Sequence, residues 1–330
     1  MDIKETLISL MTEQAYKPMN TVELSRIFDI KKKDIKGFAA LLSEMEKAGD
    51  VVRSKAEYYG IPEKMGLVVG KFQGHQRGFG FVIPETERPD VFIPADNVNG
   101  AMNGDKVLAK VLKEENNGKK CEGEIAKVIE RSNKTIIGTY QDSNNFGFVV
   151  ADDKRIAQDI FIPKSERLGA KTGQIVIAEI TQWPEQKRNP EGKIIEILGN
   201  KGDAGIDILS IIKKHKLPEE FPEAVETYTE NISDEIPKEE YTRRKDLRDL
   251  RMVTIDGEDA KDLDDAVSIE LLDNGNYRLG VHIADVSNFV KDKNPLDKEA
   301  LKRATSVYLI DRVIPMLPKK LSNGVCSLNP

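Results

Sequence analysis

The chain has 330 residues, 39% hydrophobic and 32% charged, with a formal net charge of −6. That mixture belongs to folded, water-exposed domains and excludes a fibrous or wholly disordered chain. The acidic balance excludes a coat of basic surface, so any nucleic acid must be met by local patches.

The length predicts two or three domains, more if some are small barrels. No window approaches 18 consecutive apolar residues, so no membrane contact through a spanning helix is expected. The opening MDIKETLISLMTEQAYK has neither the basic leader nor the continuous apolar run of a secretory signal, and the expected compartment is the cytoplasm. Cys121 and Cys326 lie far apart without metal-type spacing, which argues against a disulfide framework or a zinc ribbon.

Residues 1–63 read as three helices and a ribbon. The first helix falls near Ile3 to Thr12, and Thr21 is expected to cap the second over VELSRIF. The third runs across KKKDIKGFAALLSEMEKAG, with Ile35, Phe38, Leu41, Leu42 and Met45 at three- and four-residue spacing and Gly49 closing it. VVRSKAEYYGI then reads as a short hairpin. The set resembles a winged helix, a module that either contacts nucleic acid or packs against protein.

An internal repeat follows. GKFQGHQRGFGFVIP at 70–84 is echoed by GTYQDSNNFGFVVAD at 138–152, DVFIP at 90–94 by DIFIP at 159–163, and AMNGDKVLAK at 101–110 by AKTGQIVIAE at 170–179. Two copies of one strand-rich unit are therefore expected, at 64–131 and 132–199. Short alternating strands with Gly- and Asn-rich turns predict a small barrel in each. In RGFGFV the period of two places Phe79 and Phe81 on one face, opposite Gly78 and Gly80, and Phe92 is expected to join them. Three rings on one face either stack unpaired bases or fill a core. These residues resemble the cold-shock domain, an oligonucleotide-binding fold, and that resemblance implies that Phe79, Phe81 and Phe92 bind single-stranded RNA. The second copy keeps Phe146, Phe148 and Phe161 but has Asn145 in place of Gly78 and Thr139 in place of Lys71, so weaker binding is expected there.

Residues 200–247 read as an acidic connector. Between Glu219 and Glu240 stand nine acidic residues and one lysine, broken by prolines, and a solvated helical segment is expected. From 248 onward LRMVTID and DAVSIELL read as strands, DNGN at 273–276 as a hairpin turn, and YRLGVHIADV as the next strand.

Between the first two of these strands lies DGEDAKDLDDA, with five aspartates and one glutamate. Two unit charges about 4 Å apart repel by roughly 4 kcal/mol at an effective dielectric of about 20, so protons, basic partners or a cation must offset the crowding unless water screens it. The register does not fit an EF-hand: counting from Asp262, Val267 stands where glycine is required. A surface acidic patch or a hard-cation site remains, and oxygen-only ligands suit magnesium or manganese, which act in phosphoryl displacement.

TIDGEDAKDLDDAV, with VHIADVSNFV, PLDKEA, TSVYL, VIPMLP and LSNGVCSLNP, closely resembles the start of the catalytic domain of the ribonuclease II and ribonuclease R family of processive 3′-to-5′ exoribonucleases. With the tandem cold-shock units and the helical module, the resemblance covers essentially the whole chain, and the helical module favours the ribonuclease R branch. It implies a multidomain, mostly β protein: a winged-helix-like α domain, two cold-shock (OB-fold) barrels, and at 248–330 the incomplete start of an α+β catalytic domain. The implied activity is metal-dependent hydrolysis of RNA, including structured RNA with 3′ overhangs, to nucleoside 5′-monophosphates, with magnesium as cofactor and manganese as the alternative. Asp256, Asp262 and Asp265 are implied metal ligands, Asp264 is implied to position the metal and the attacking water, and Tyr308 is implied to pack against the 3′-terminal nucleotides. Glu258 and Asp259 receive no role and are expected to be solvated. The rest of the family's catalytic domain lies beyond these residues, so the chain is expected to bind RNA without hydrolysing it. The competing reading is a cold-shock-type protein that binds or remodels single-stranded RNA without nuclease activity.

Overall fold

In the computed structural model, which describes residues 2–54, 56–114, 121–185, 188–258 and 260–329, the chain divides into two units, Met1–Ser210 and Ile211–Pro330. Asp259 lies outside the described residues.

The first unit begins with α1 (Ile3–Thr12), where Asp2 Oδ1 accepts the Lys4 N–H, and α2 (Thr21–Ile27). Asn20, rather than Thr21, caps α2. Its carboxamide oxygen accepts from Val22 and Glu23 N–H at 2.9 and 3.0 Å, and Glu23 returns the bond to Asn20 N–H at 2.8 Å. The reciprocal bond needs a glutamate three residues after the cap, which fixes the cap at Asn20. α3 (Ile35–Ala48) follows a short 3₁₀ turn and ends at Gly49, which takes the left-handed conformation of a helix stop. Phe38, Leu42 and Met45 bury against Leu7, Met11 and Leu24, while β1 (Val52–Arg53) and β2 (Tyr59–Gly60) form the expected ribbon. Ile35 and Leu41 are only half-buried.

Ten strands then close two five-stranded barrels. β3 (Leu67–Gly74), β4 (Gly80–Pro84), β5 (Val91–Ile93), β6 (Lys106–Lys113) and β7 (Glu122–Glu130) pair in the order β3-β4-β5-β7-β6. β8 (Thr135–Asp142), β9 (Phe146–Ala151), β10 (Ile160–Pro163), β11 (Gln174–Gln182) and β12 (Glu191–Asn200) repeat that order. Both copies share one parallel pairing, Phe92 with Glu122 and Phe161 with Glu191, in sheets that are otherwise antiparallel. Closure leaves no free edge in either barrel.

The barrels are joined by an asymmetric contact. Met102, on the loop before β6, is buried in the core of the second barrel beside Tyr140, Ile160 and Ile162. The fully buried Asp105 holds that loop, accepting from Met102 N–H at 2.8 Å, Ser132 N–H at 3.0 Å and Arg131 Nη1 at 2.8 Å. Arg131 in turn lies 4.5 Å over the ring of Trp183.

α4 (Ile206–Lys214) crosses the division between the units. In the second unit, α5 (Glu223–Glu230) and α6 (Lys238–Arg243) account for the acidic segment, which is helical as expected but not wholly solvated. Val225 is buried with Leu296 of α7 (Pro295–Arg303), Leu317, Leu321 and Cys326. The carboxylates of α5 point outward while one apolar stripe turns inward, a pattern that overall charge conceals.

LRMVTID does not form the expected strand. Only Val253 bridges, to Val267, and Ile255 is 85% exposed, because no neighbouring backbone among the described residues extends the ladder. β13 (Asp265–Leu271) and β14 (Tyr277–Ile283) form the predicted hairpin. Its Ile269, Leu279 and Ile283 side chains are 66–70% exposed. β15 (Val307–Tyr308) and β16 (Val313–Ile314) complete the unit.

Candidate nucleic-acid interface and aspartate loop

In the first barrel Phe81 and Phe92 face each other across β4 and β5, with ring centroids 5.5 Å apart, and Phe79 stands 5.6 Å from Phe92. All three are half-buried and lie outside the core, whose aromatic residue is Phe72. Gly80 explains the separation: a Cβ there would come 2.4 Å from the Phe72 ring. Glycine between the two phenylalanines lets the core ring lie under the strand, while the alternate positions lift Phe79 and Phe81 to the outer surface. The second barrel repeats the device with Gly147 over Tyr140, and Phe146, Phe148 and Phe161 lie 5.5–5.9 Å apart. The core-filling reading of the six phenylalanines therefore does not hold.

His75, which the sequence pattern did not single out, stacks on Phe79 at 4.2 Å and 15°. Both line a cleft of about 460 Å³ that continues from the first barrel to Arg155–Gln158 of the second. Only the spacing His75 to Phe79 across a turn could have signalled the stack.

In the second unit the aspartate loop runs from Asp256 into β13. Asp256, Asp264 and Asp265 are exposed and Asp262 is half-buried. Partial removal from water, then the charges of Asp262, Asp256 and Asp265, hold the Asp264 carboxyl above its ordinary pKa. Three of the aspartates singled out in the sequence thus act electrostatically on the fourth. Tyr308 joins them: its hydroxyl donates to Asp262 Oδ2 at 2.7 Å. That bond, with partial burial and the negative charges of Asp262 and Asp264, pushes the phenol up to about 12. The donors are all oxygen, which suits a hard cation. Among the described residues, no three His, Cys, Asp or Glu side chains converge closely enough to form a ready-made metal cluster.

Tyr308 is carried by a segment anchored at Arg303, which the sequence reading missed. The Arg303 side chain is 2% exposed, donates to Glu299 Oε1 at 2.9 Å and to the carbonyls of Pro218, Glu220 and Pro315, and lies 3.7 Å over Phe221.

Two five-stranded barrels with outward aromatic clusters, followed by a domain that carries a carboxylate loop, define a protein of tandem oligonucleotide-binding fold with an appended domain. Family profiles agree: a ribonuclease B OB domain matches residues 70–128, a cold shock domain 148–222 and an RNB domain 244–330. The chain is 39% identical over 328 residues to ribonuclease R of Escherichia coli (strain K12), covering 99% of this chain and 40% of that one. To ribonuclease R of Acidithiobacillus ferrooxidans it is 39% identical over 329 residues, covering 99% of this chain and 74% of that one. Among solved structures, Mycoplasma genitalium RNase R in complex with ribose methylated single-stranded RNA superposes with a TM-score of 0.71 at 27% identity, over 80% of this chain and 42% of that one. The chain belongs to the ribonuclease R family. It spans about 40% of the length of the E. coli relative. Among the described residues no helix is long and apolar enough to cross a membrane.

Proposed function

We propose that this chain carries the RNA-binding barrels and the metal-binding loop of a 3′-to-5′ exoribonuclease, and that residues 1–330 alone bind single-stranded RNA without degrading it. The observation that carries the reading is the electrostatic action of Asp256, Asp262 and Asp265 on Asp264, with Tyr308 bonded to Asp262. A module that only binds RNA has no use for carboxylates that repel phosphate.

Phe79, Phe81 and Phe92 offer π-faces to successive bases whatever their sequence, and Phe146, Phe148 and Phe161 do the same more weakly. Asp256, Asp262, Asp264 and Asp265 would hold a magnesium ion, with manganese as the alternative. The bound ion would supply Lewis acidity at the scissile phosphate. Asp264, the carboxyl on which the charges of Asp262, Asp256 and Asp265 act, is the group proposed to orient the attacking water. Tyr308, 64% exposed, keeps its ring free to lie against a 3′-terminal nucleotide while its hydroxyl steadies Asp262.

The test uses residues 1–330 with end-labelled single-stranded RNA. The expected result is a gel shift that weakens as salt rises, with no mononucleotide released in magnesium or manganese. In a fusion of these residues to the rest of a relative's catalytic domain, Asp264→Asn should abolish hydrolysis and leave RNA affinity unchanged. Normal turnover by that variant ends the assignment of Asp264, and failure of residues 1–330 to bind RNA ends that of the barrels.

A further inference from the structure

The aspartate loop is held from behind by residues near the end of the chain. Leu263, which separates Asp262 from Asp264, has both backbone groups bonded there: its N–H donates to Ser327 Oγ at 2.9 Å, and its carbonyl accepts from Leu328 N–H at 2.8 Å. The Ser327 hydroxyl hydrogen faces two acceptors, Asn329 Oδ1 at 3.2 Å and the Lys261 carbonyl at 3.3 Å. One hydroxyl thus reaches the residue before Asp262 and the residue after it.

Ser327 is itself firmly placed. Its N–H donates to the Gly324 carbonyl at 2.9 Å, and the neighbouring Cys326 is buried with Leu321 in the core of the second unit. Leu263 lines one cleft with Ala266 and Leu328, and Tyr308 grips the Asp262 carboxylate. The loop is therefore fixed through its backbone by serine and through its side chain by tyrosine.

We infer that Ser327 is a positioning residue for the aspartate loop: its hydroxyl holds the Leu263 N–H just after Asp262, faces the Lys261 carbonyl just before it, and so sets where the Asp262 and Asp264 carboxylates stand. The inference rests on the proposed metal-binding role of that loop. A hydroxyl both accepts and donates, which the two flanking peptide groups require, whereas alanine leaves the Leu263 N–H without its partner. Outer groups of this kind tune metal affinity by about 10–100-fold without touching the ion.

The experiment uses the full chain and manganese alone, with free ion counted by electron paramagnetic resonance, and follows exchange of the Leu263 amide by NMR. Ser327→Ala should weaken manganese binding by about tenfold or more and speed Leu263 exchange measurably. Ser327→Thr, which keeps the hydroxyl, should restore both. Melting temperature and single-stranded RNA affinity should match the unaltered chain in both variants, which separates positioning from loss of fold. Unchanged manganese affinity and unchanged exchange in Ser327→Ala overturn the inference, as does a threonine variant no better than alanine. If the unaltered chain takes up no manganese, the metal reading of the loop falls, and exchange alone decides: faster exchange in the alanine variant upholds the positioning role, and unchanged exchange ends it.

Discussion

The Tyr308 hydroxyl donates to Asp262 Oδ2 at 2.7 Å, joining residues 46 positions apart in sequence. Tyr308 is 64% exposed, so water competes for both partners. Tyr308→Phe should therefore lower the stability of the second unit by less than about 1 kcal/mol, the net worth of an ordinary hydrogen bond. Urea unfolding of the two chains checks this; a larger loss would mean that the bond holds the unit together.

Arg303 is the opposite case. Its guanidinium is buried with Glu299 and three carbonyls, and removing it leaves those carbonyls without this donor and the carboxylate with only the 3.7 Å contact to Lys302. Arg303→Met should cost about 3–5 kcal/mol and open the second unit to protease while the barrels resist. Equal protease resistance in the two chains would show that this network is dispensable.

For the aromatic surface, Phe79→Ala with Phe81→Ala should weaken single-stranded RNA binding by about 1–3 kcal/mol per lost stack and leave the fold intact. The same pair of changes at Phe146 and Phe148 should cost less binding. Phe72→Ala, one layer inward, should instead destabilise the first barrel by about 3–5 kcal/mol. Fluorescence anisotropy and thermal melts separate the two effects, and a barrel that melts in the Phe79/Phe81 variant would return those rings to the core.

Burial, then the charge of Asp285, pushes the Cys326 thiol up to about 11. Because the buried thiolate is disfavoured, the stabilising effect is fully present below the ordinary thiol value and is lost as pH rises through about 11. Iodoacetamide at pH 8 should modify Cys121, which is half-buried, well before Cys326. Mass spectrometry of the alkylated chain reads the order, and equal labelling would show that the second unit opens readily.

What the sequence disclosed follows from how far each signal reaches. The alternation in RGFGFV is local, so the outer placement of Phe79 and Phe81 could be read from the period of two. The aspartates declare themselves by composition. Ser327 and Arg303 do not, because each acts through bonds to distant peptide groups, which any residue type can supply. The strand expected at LRMVTID failed for a related reason: alternation marks a segment able to pair, and pairing also needs a neighbouring backbone. At α2 the ambiguity was between adjacent residues of similar capping tendency, and only the returned bond from Glu23 decides for Asn20.

Met102 gives the tandem a direction. At the matching place in the second copy stands Lys171, whose N–H bonds to Gln174 Oε1 at 2.9 Å much as that of Met102 bonds to Asp105 Oδ2 at 2.8 Å. The two loops share one shape, yet the first presents a plug and the second an exposed charge. A further copy appended by the same joint would meet lysine where methionine has to enter an apolar socket. The array is polar like a chain of links with one hook and one eye, and the joint between these two barrels is not one that Lys171 could repeat.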